Sequence, residues 1–407
     1  MYPRSECPGK DKMRSRIVTI LAFFIALMIV NGLSSEGAPS AAPAGKNAAA
    51  QAETPDGAPV LEGLTFERQV GFTYARCIDI YCYEGGYKLF DVYDSARYLL
   101  VPEGGKVPDG LDEDIRIIYG PADHVYMAAT AAMALVRASD GLSSIRFSSV
   151  AEDGWYVEEA AERMRSGDIL FAGKYSAPDF ELLISQGCDL AVESTMILHS
   201  PRIREMLENL GIPVFIDRSS YEEHPLGRSE WVKVYGALFG DEDAAERFFE
   251  EQQQVMKDLE GYENTGKTVA FFYISSDGSA VVRRNSDSIP KMIALAGGVY
   301  ALSDIPAADG SMQSSFSMTM EEFYADAVDA DYLIYNSSID TPVTTMEELF
   351  AKSSLLKNFK AVREGNVWCA DRYLYQATDI TGQLIRDFHA MLTGGGEEDM
   401  LFLKKVK

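Results

Sequence analysis

The 407-residue sequence is poor in cysteine, histidine and basic residues, and each shortage argues against a class of protein. Its five cysteines form no CxxC or Cys/His grouping, which argues against a disulfide scaffold or a zinc finger. Its four histidines are isolated in sequence, so a histidine-rich metal site is not indicated. Only 37 Lys and Arg stand against 62 Asp and Glu, and the formal net charge of -25 repels nucleic-acid phosphates. The sequence therefore predicts no nucleic-acid partner.

The cysteines leave one pairing open. Cys77 and Cys82 are close enough in sequence for a disulfide bridge, and the alternative is that both are free. Cys188 and Cys369 are interpreted as lone buried thiols that pack as small apolar side chains.

Several enzyme signatures are also missing. No GxGxxG follows a predicted strand, and GxxxxGK[ST], GxSxG and HExxH do not occur. No cluster of acid and base residues replaces them. The sequence therefore predicts a protein that is not an enzyme, without a resident metal or cofactor.

The N-terminal segment indicates export. Lys10, Lys12, Arg14 and Arg16 precede the uncharged run Ile17–Val30, which is short for a membrane span and suited to a signal-peptide core. We interpret residues 1–37 as a signal peptide or an N-terminal anchor, with cleavage left open. Residues 38–63, rich in Ala, Pro, Gly and Ser, are predicted to form a flexible linker. The acidity then belongs to the folded part.

The rest of the chain predicts a two-lobed α/β protein. Short β-type runs over 64–120 are followed by apolar runs that alternate with amphipathic stretches ending in glycine, the pattern of parallel α/β sheets. Residues 64–226 form the first predicted lobe and residues 265–407 the second. Residues 227–264 between them carry no strand signal and predict a helical connector.

Polar loops follow several of these predicted strands. In open α/β sheets the ligand crevice lies at the carboxyl ends of the strands, so these loops predict a cleft with arginine-lined and aromatic walls suited to a bulky or anionic ligand. The predicted ligand-binding residues are Tyr175, Ser176, Arg218, Tyr221, His224, Arg283, Arg284, Asn336 and Tyr373.

Two sequence blocks have a family resemblance. Pro178-Asp179-Phe180-Glu181, followed by LLISQGCDLAV, has a counterpart in Met320-Glu321-Glu322-Phe323, followed by YADAVDADYLIYN. With LENLGIPVFI, IALAGG and EGNVWCADR in the same order, these blocks resemble the substrate-binding proteins of ABC importers that serve ferric siderophores, haem and cobalamin. The resemblance covers about residues 64–393.

The resemblance implies two Rossmann-like lobes bridged by a long helix, with the ligand held in a cleft between the lobes. It implies an extracytoplasmic, monomeric protein that delivers a small-molecule iron complex, first of all a ferric siderophore, to an ABC transporter permease. Glu181 and Glu321 would dock on the permease, with Glu322 as a substitute.

Other interpretations stay open. Haem and cobalamin are alternative ligands, and a solute-binding sensor or an exported metal-cofactor enzyme are alternative functions on the same scaffold. The sequence departs from the family in two respects: no cysteine comes directly after the signal core, which leaves the membrane anchor undefined, and the β-type stretch 64–120 is long.

Overall fold

A computed structural model describes residues 57–239, 241–259, 261–303, 305 and 314–407. The predicted signal segment and most of the predicted linker lie outside these residues. Within the described part of the chain, every helix is too short or too polar to cross a membrane.

A five-stranded sheet occupies the stretch 64–120. Its strands are β1 (Phe66–Gln69), β2 (Ile78–Tyr83), β3 (Tyr87–Val92), β4 (Ala96–Val101) and β5 (Ile115–Tyr119). They lie in chain order, antiparallel except for the parallel pair β4 and β5. Alternation of side chains gives the sheet two apolar faces. Phe90 and Tyr98 on one face contact Phe215 of the following sheet, and Leu89 and Leu99 on the other belong to a smaller core.

The second sheet forms the core of the first lobe. Its segment of the chain contains strands β6 (Val125–Met127), β7 (Ile145–Ser148), β8 (Leu170–Phe171), β9 (Gly173–Lys174), β10 (Ala177–Pro178), β11 (Leu190–Ser194) and β12 (Val214–Asp217), with helices α1 (Ala132–Ala138), α2 (Glu158–Ser166), α3 (Phe180–Ser185) and α4 (Pro201–Asn209). The parallel sheet has the order β12-β11-β6-β7-β8, and β9 and β10 make a separate hairpin. This confirms the predicted parallel α/β architecture.

Three helices connect the lobes. They are α5 (Pro225–Glu230), α6 (Val232–Phe239) and the longest, α7 (Glu242–Asp258). Asp241 caps α7 by accepting a hydrogen bond from the amide of Ala244 at 2.7 Å, and two acidic residues in its first turn complement the helix dipole. The single helix expected over 227–240 is divided at Trp231.

The second lobe holds a seven-stranded sheet. Its strands are β13 (Thr268–Ile274), β14 (Ala280–Arg283), β15 (Val299–Tyr300), β16 (Ser315–Met318), β17 (Tyr332–Asn336), β18 (Val367–Ala370) and β19 (Leu403–Lys405), and its helices are α8 (Ser288–Leu295), α9 (Met320–Ala327), α10 (Met346–Lys352), α11 (Lys360–Glu364) and α12 (Thr381–Thr393). The order is β16-β14-β13-β17-β18-β19, with β15 beside β13. β13, β15, β17 and β18 run parallel, whereas β14, β16 and β19 run antiparallel to their neighbours.

Short 3-10 helices complete the described secondary structure. They are Gly141–Ser144, Glu152–Gly154, Thr195–His199, Ser219–Tyr221, Ser354–Asn358, Arg372–Tyr375 and Glu397–Asp399.

Two buried glutamates fasten the first sheet to the connector. Glu230 accepts hydrogen bonds from the amides of residues 73–75 at 2.7 to 2.8 Å. Glu222 accepts from the amides of residues 76 and 77 at 2.6 and 3.0 Å, and from the indole of Trp231 at 2.7 Å. These carboxylates satisfy five main-chain donors of the loop between β1 and β2.

The structure decides between a disulfide and two free thiols at Cys77 and Cys82. Cys77 and Cys82 are both free, so the disulfide alternative is not formed. Cys369 is buried, as predicted, while Cys188 is only half-buried. Burial raises the pKa of the Cys77 and Cys188 thiols to about 12, which keeps both protonated at neutral pH.

Candidate functional site

Two predicted residues sit at the tip of the β9–β10 hairpin. Tyr175 is half-buried against the core of the first lobe, and Ser176 is exposed. The strand predicted over 168–173 ends early because Gly173 adopts φ of +79° and starts the hairpin. A Cβ atom at Gly173 would lie 2.5 Å from the carbonyl oxygen of Ala177, so the turn requires glycine.

Arg218 and Tyr221 follow β12, as predicted, but Arg218 already has partners. Its guanidinium donates to the carbonyl oxygen of Asp94 at 3.1 Å, lies 3.7 Å from the Asp94 carboxylate, and covers the ring of Tyr221 at 4.6 Å. The Tyr221 hydroxyl is 3.1 Å from that of Thr195, which follows β11. Arg218 therefore ties the lobe to the β3–β4 turn, and its ligand role stays a prediction.

His224 begins the connector. Its Nδ1 accepts a hydrogen bond from the amide of Leu226 at 3.1 Å, and its ring stacks on Tyr74 with centroids 4.4 Å apart. Burial lowers the pKa of His224, which favours the neutral ring that can accept this bond. The residue thus acts as a helix cap in this structure.

The predicted placement of Arg283 and Arg284 is wrong. β14 runs antiparallel to β13. Its carboxyl end therefore points in the direction opposite to the carboxyl ends of the parallel strands β13, β17 and β18. Arg283 is largely buried, and its guanidinium still reaches the ring of Tyr375 at 5.0 Å. Arg284 lies over the ring of Phe316 at 4.9 Å.

Tyr375 links two of the predicted residues. Its hydroxyl accepts a hydrogen bond from the side-chain amide of Asn336 at 3.1 Å. The guanidinium of Arg283 lies over its ring. Tyr373 packs against the apolar cores of both lobes, and burial raises its pKa to about 12. Both side chains therefore already have partners within the protein. Asn336 ends β17, and Tyr373 lies in the 3-10 helix that follows β18.

Side chains also cross directly between the lobes. Gln376 accepts a hydrogen bond from the amide of Tyr156 at 2.8 Å and donates to the carbonyl oxygen of Gly154 at 2.9 Å. Arg137 of α1 pairs with the buried carboxylate of Asp379. The loop after β7 and the loop after β18 are thus held together.

Beside this contact lies a cavity of about 530 Å³. It is lined by Tyr156 from the first lobe and by Ser337, Pro342, Val343, Thr344, Cys369, Ala370, Asp371, Arg372, Glu397, Lys404, Lys405 and Lys407 from the second. None of the nine predicted ligand-binding residues lines it. Two cavities of similar volume lie against α7, away from the carboxyl ends of the strands.

The two predicted docking glutamates have equivalent positions. Glu181 is the second residue of α3, Glu321 is the second residue of α9, and both are exposed. Glu322 differs because it completes a capping box with Thr319, and those hydrogen bonds lower its pKa. Glu322 is therefore occupied within its own helix.

One group of metal-ligand type lies elsewhere. Asp123, His124 and Asp189 bring one ligand atom each to within 4.8 Å of one another. They precede β6 and β11, at the end of the sheet opposite to the candidate cleft. His124 is isolated in sequence, and the distant Asp189 completes the group only in the fold. The cavity itself has no histidine among its lining residues.

Comparison with known proteins identifies the family. The model of the family described as "Periplasmic binding protein" matches residues 147–374, more than half of the chain. An uncharacterized lipoprotein, MJ0878, of Methanocaldococcus jannaschii is 27% identical over 323 residues, covering 75% of this chain and 74% of its own.

Solved structures agree on the fold. A periplasmic heme binding protein from Pseudomonas aeruginosa superposes with a TM-score of 0.54 at 13% identity, over 70% of this chain and 98% of that one. An ABC-type Fe3+-hydroxamate transport system protein from Saccharomonospora viridis gives 0.51 at 18% identity, over 67% and 93%. The family consists of solute-binding proteins and not of enzymes. With two α/β lobes, a helical connector and a cavity between their loops, the chain belongs to the periplasmic binding protein family.

Proposed function

We propose that the protein captures an iron complex, a ferric siderophore in the first instance, outside the cytoplasm and delivers it to an ABC import permease. The observation that carries the proposal is the cavity at the lobe contact. Tyr156 supplies one wall, while Ser337 and Ala370 follow or end two parallel strands of the other lobe. Open α/β sheets bind ligands at that edge, and about 530 Å³ suits a small solute.

Haem and cobalamin are the alternative ligands. A haem iron needs an axial side-chain ligand, and in the cavity lining only Tyr156 and Cys369 are of a usual type. The Cys369 sulfur accepts a hydrogen bond from the amide of Val343 at 3.4 Å and is buried. A polar iron complex that is bound through its outer groups needs no such ligand. The chemistry of the lining therefore supports a siderophore ahead of haem.

The ligand class is testable by direct binding. We expect purified protein to bind a ferric siderophore without turning it over, and to bind haem and cobalamin more weakly. Trp155 and Trp368 adjoin lining residues in sequence, so quenching of tryptophan fluorescence can report occupancy. Calorimetry with each ligand gives the affinity. Absence of binding to every iron complex, haem and cobalamin would remove the proposed ligand class.

We further propose that Glu181 and Glu321 position the protein on its permease. Their carboxylates are exposed at matching positions, one on each lobe. Exposed carboxylates steer and align a basic partner surface even where they add little affinity. The formal net charge of -25 supports approach to a basic permease face.

Replacing Glu181 and Glu321 with alanine should abolish most iron-complex uptake in cells while leaving ligand affinity unchanged. Glu347→Ala is a matched control because Glu347 is also exposed, also second in its helix, and also beside a Thr/Glu capping box. Uptake of labelled ligand and binding to purified protein are measured for each variant. Uptake by the double variant equal to that of Glu347→Ala would contradict the docking role.

The relatives named as lipoproteins also support a membrane-associated location. We propose that the mature protein stays near the outer face of the membrane in reach of the permease. The apolar segment Ile17–Val30 is the part of the chain suited to directing export.

A further inference from the structure

The cavity lining is more basic than the protein as a whole. Arg372, Lys404, Lys405 and Lys407 line it, against two acidic residues, Asp371 and Glu397. The chain carries 62 acidic and 37 basic residues, so this local excess of positive charge runs against the overall composition. A concave, partly desolvated surface with an excess of one sign concentrates its field on whatever enters.

Three of the four cations lie in the last four residues of the sequence: Lys404 and Lys405 belong to β19, and Lys407 lies two residues after it. β19 pairs antiparallel with β18, and Lys404 lies directly opposite Cys369, so the two side chains share a face of the sheet. The main chain of Lys407 is fixed by hydrogen bonds with residues 344 and 346 at 3.0 and 2.8 Å. Lys404 and Lys405 therefore stand on opposite faces of a hydrogen-bonded edge strand, and Lys407 follows it with its main chain held.

The family model does not cover the basic C-terminal strand. The match to the family model ends at residue 374, and Lys404, Lys405 and Lys407 lie beyond it. Arg372, by contrast, falls within the matched part. The family model therefore says nothing about the three lysines, which supply most of the positive charge of the cavity.

We infer that the cavity selects a solute with several negative charges, and that the C-terminal strand is the element that selects it. The inference rests on the proposed function and specifies its ligand: a ferric catecholate or carboxylate complex in preference to a neutral hydroxamate complex, haem or cobalamin. Several flexible ammonium groups can surround a compact anion from different sides, and the hydroxyl groups of Ser337 and Thr344 add hydrogen-bond donors.

The test varies the charge of the ligand and, separately, the charge of the cavity lining. Ferric enterobactin, a tris-catecholate anion, should bind more tightly than ferrichrome, a neutral tris-hydroxamate, and its affinity should fall as sodium chloride is raised. The triple variant K404Q/K405Q/K407Q should weaken ferric enterobactin by about 10-fold or more, since each exposed charge pair contributes modestly. The triple variant K106Q/K257Q/K357Q removes the same net charge from exposed lysines outside the cavity lining and should change the affinity less than about 2-fold.

The outcomes separate this inference from the proposed function. Equal or tighter binding of ferrichrome, or an unchanged affinity in the strand variant, would overturn the anion selectivity while iron capture stands. Lysine-dependent binding of metal-free citrate with no binding of either ferric complex would support the anionic class and overturn iron capture. No binding of any probe would overturn both. If the triple variant unfolds, as checked by circular dichroism, the single variants K404Q and K405Q carry the same comparison with smaller losses.

Discussion

Replacing Glu230 with glutamine should lower the free energy of unfolding by about 3–5 kcal/mol, because a buried anion with several partners would be lost. Glu230 is fully buried and accepts hydrogen bonds from the amides of Thr73, Tyr74 and Ala75, one on Oε1 and two on Oε2. A glutamine keeps one acceptor oxygen and turns an NH2 group toward the remaining donors. At least one of the three amides then loses its acceptor.

The loss should be visible in two measurements. Urea unfolding gives the change in stability, and hydrogen exchange at residues 73–75 reports whether the loop before β2 has been released. Glu250→Gln is the control, because Glu250 is an exposed glutamate of the same connector. We expect the control to cost less than about 1 kcal/mol. Unchanged protection of the three amides in Glu230→Gln would refute the fastening role.

The sequence predicted the fold correctly where an element has a clear local sequence pattern. The buried runs that became β11, β12, β13 and β17 are short and apolar, and glycine follows the last turn of α2 and α12, as the pattern requires. β19 was missed because LFLKKVK follows a glycine-rich end, has little alternation, and is a strand only by virtue of pairing with β18. Pairing partners far apart in sequence leave no local signal.

The candidate site was predicted less well for a related reason. The predicted position at the carboxyl end of a strand was correct for Arg218, which follows β12, and for Asn336, which ends β17, but such a position does not determine where the side chain points. Arg218 turns to Asp94, which is 124 residues away in a turn of the first sheet. For Arg283 the assumption of parallel strands failed, since β14 folds back on β13 as a hairpin. The lysines of the cavity became visible only when β19 was placed beside β18.

The second prediction with a large effect concerns Glu193, whose replacement should raise the free energy of unfolding. It lies in β11, one residue before the strand ends, is fully buried, and neither carboxyl oxygen has a hydrogen-bond partner. Burial raises its pKa to about 8. At neutral pH the protein therefore holds a protonated carboxyl group that ionises in the unfolded chain.

The sign of the pH dependence follows from this shift. A folded pKa of about 8 above an unfolded value of 4.5 means that stability is complete below the unfolded pKa and falls as pH rises toward 8. Replacing Glu193 with methionine removes the group that ionises. We expect Glu193→Met to raise the free energy of unfolding at pH 7 by about 2–3 kcal/mol. The gain should be small at pH 5 and should level off above pH 8.

A matched contrast lies in the neighbouring strand. Asp217 of β12 is also buried, but it accepts hydrogen bonds from Ser219 and Tyr235. Asp217→Asn should therefore destabilise the protein, because an NH2 group replaces one of the two oxygens that accept from Ser219 and Tyr235. Urea unfolding from pH 5 to pH 9 for both variants measures the difference. If Glu193→Met gained no stability between pH 5 and pH 8, the carboxyl group must be ionised and compensated in the folded protein, and the unpartnered geometry would be refuted.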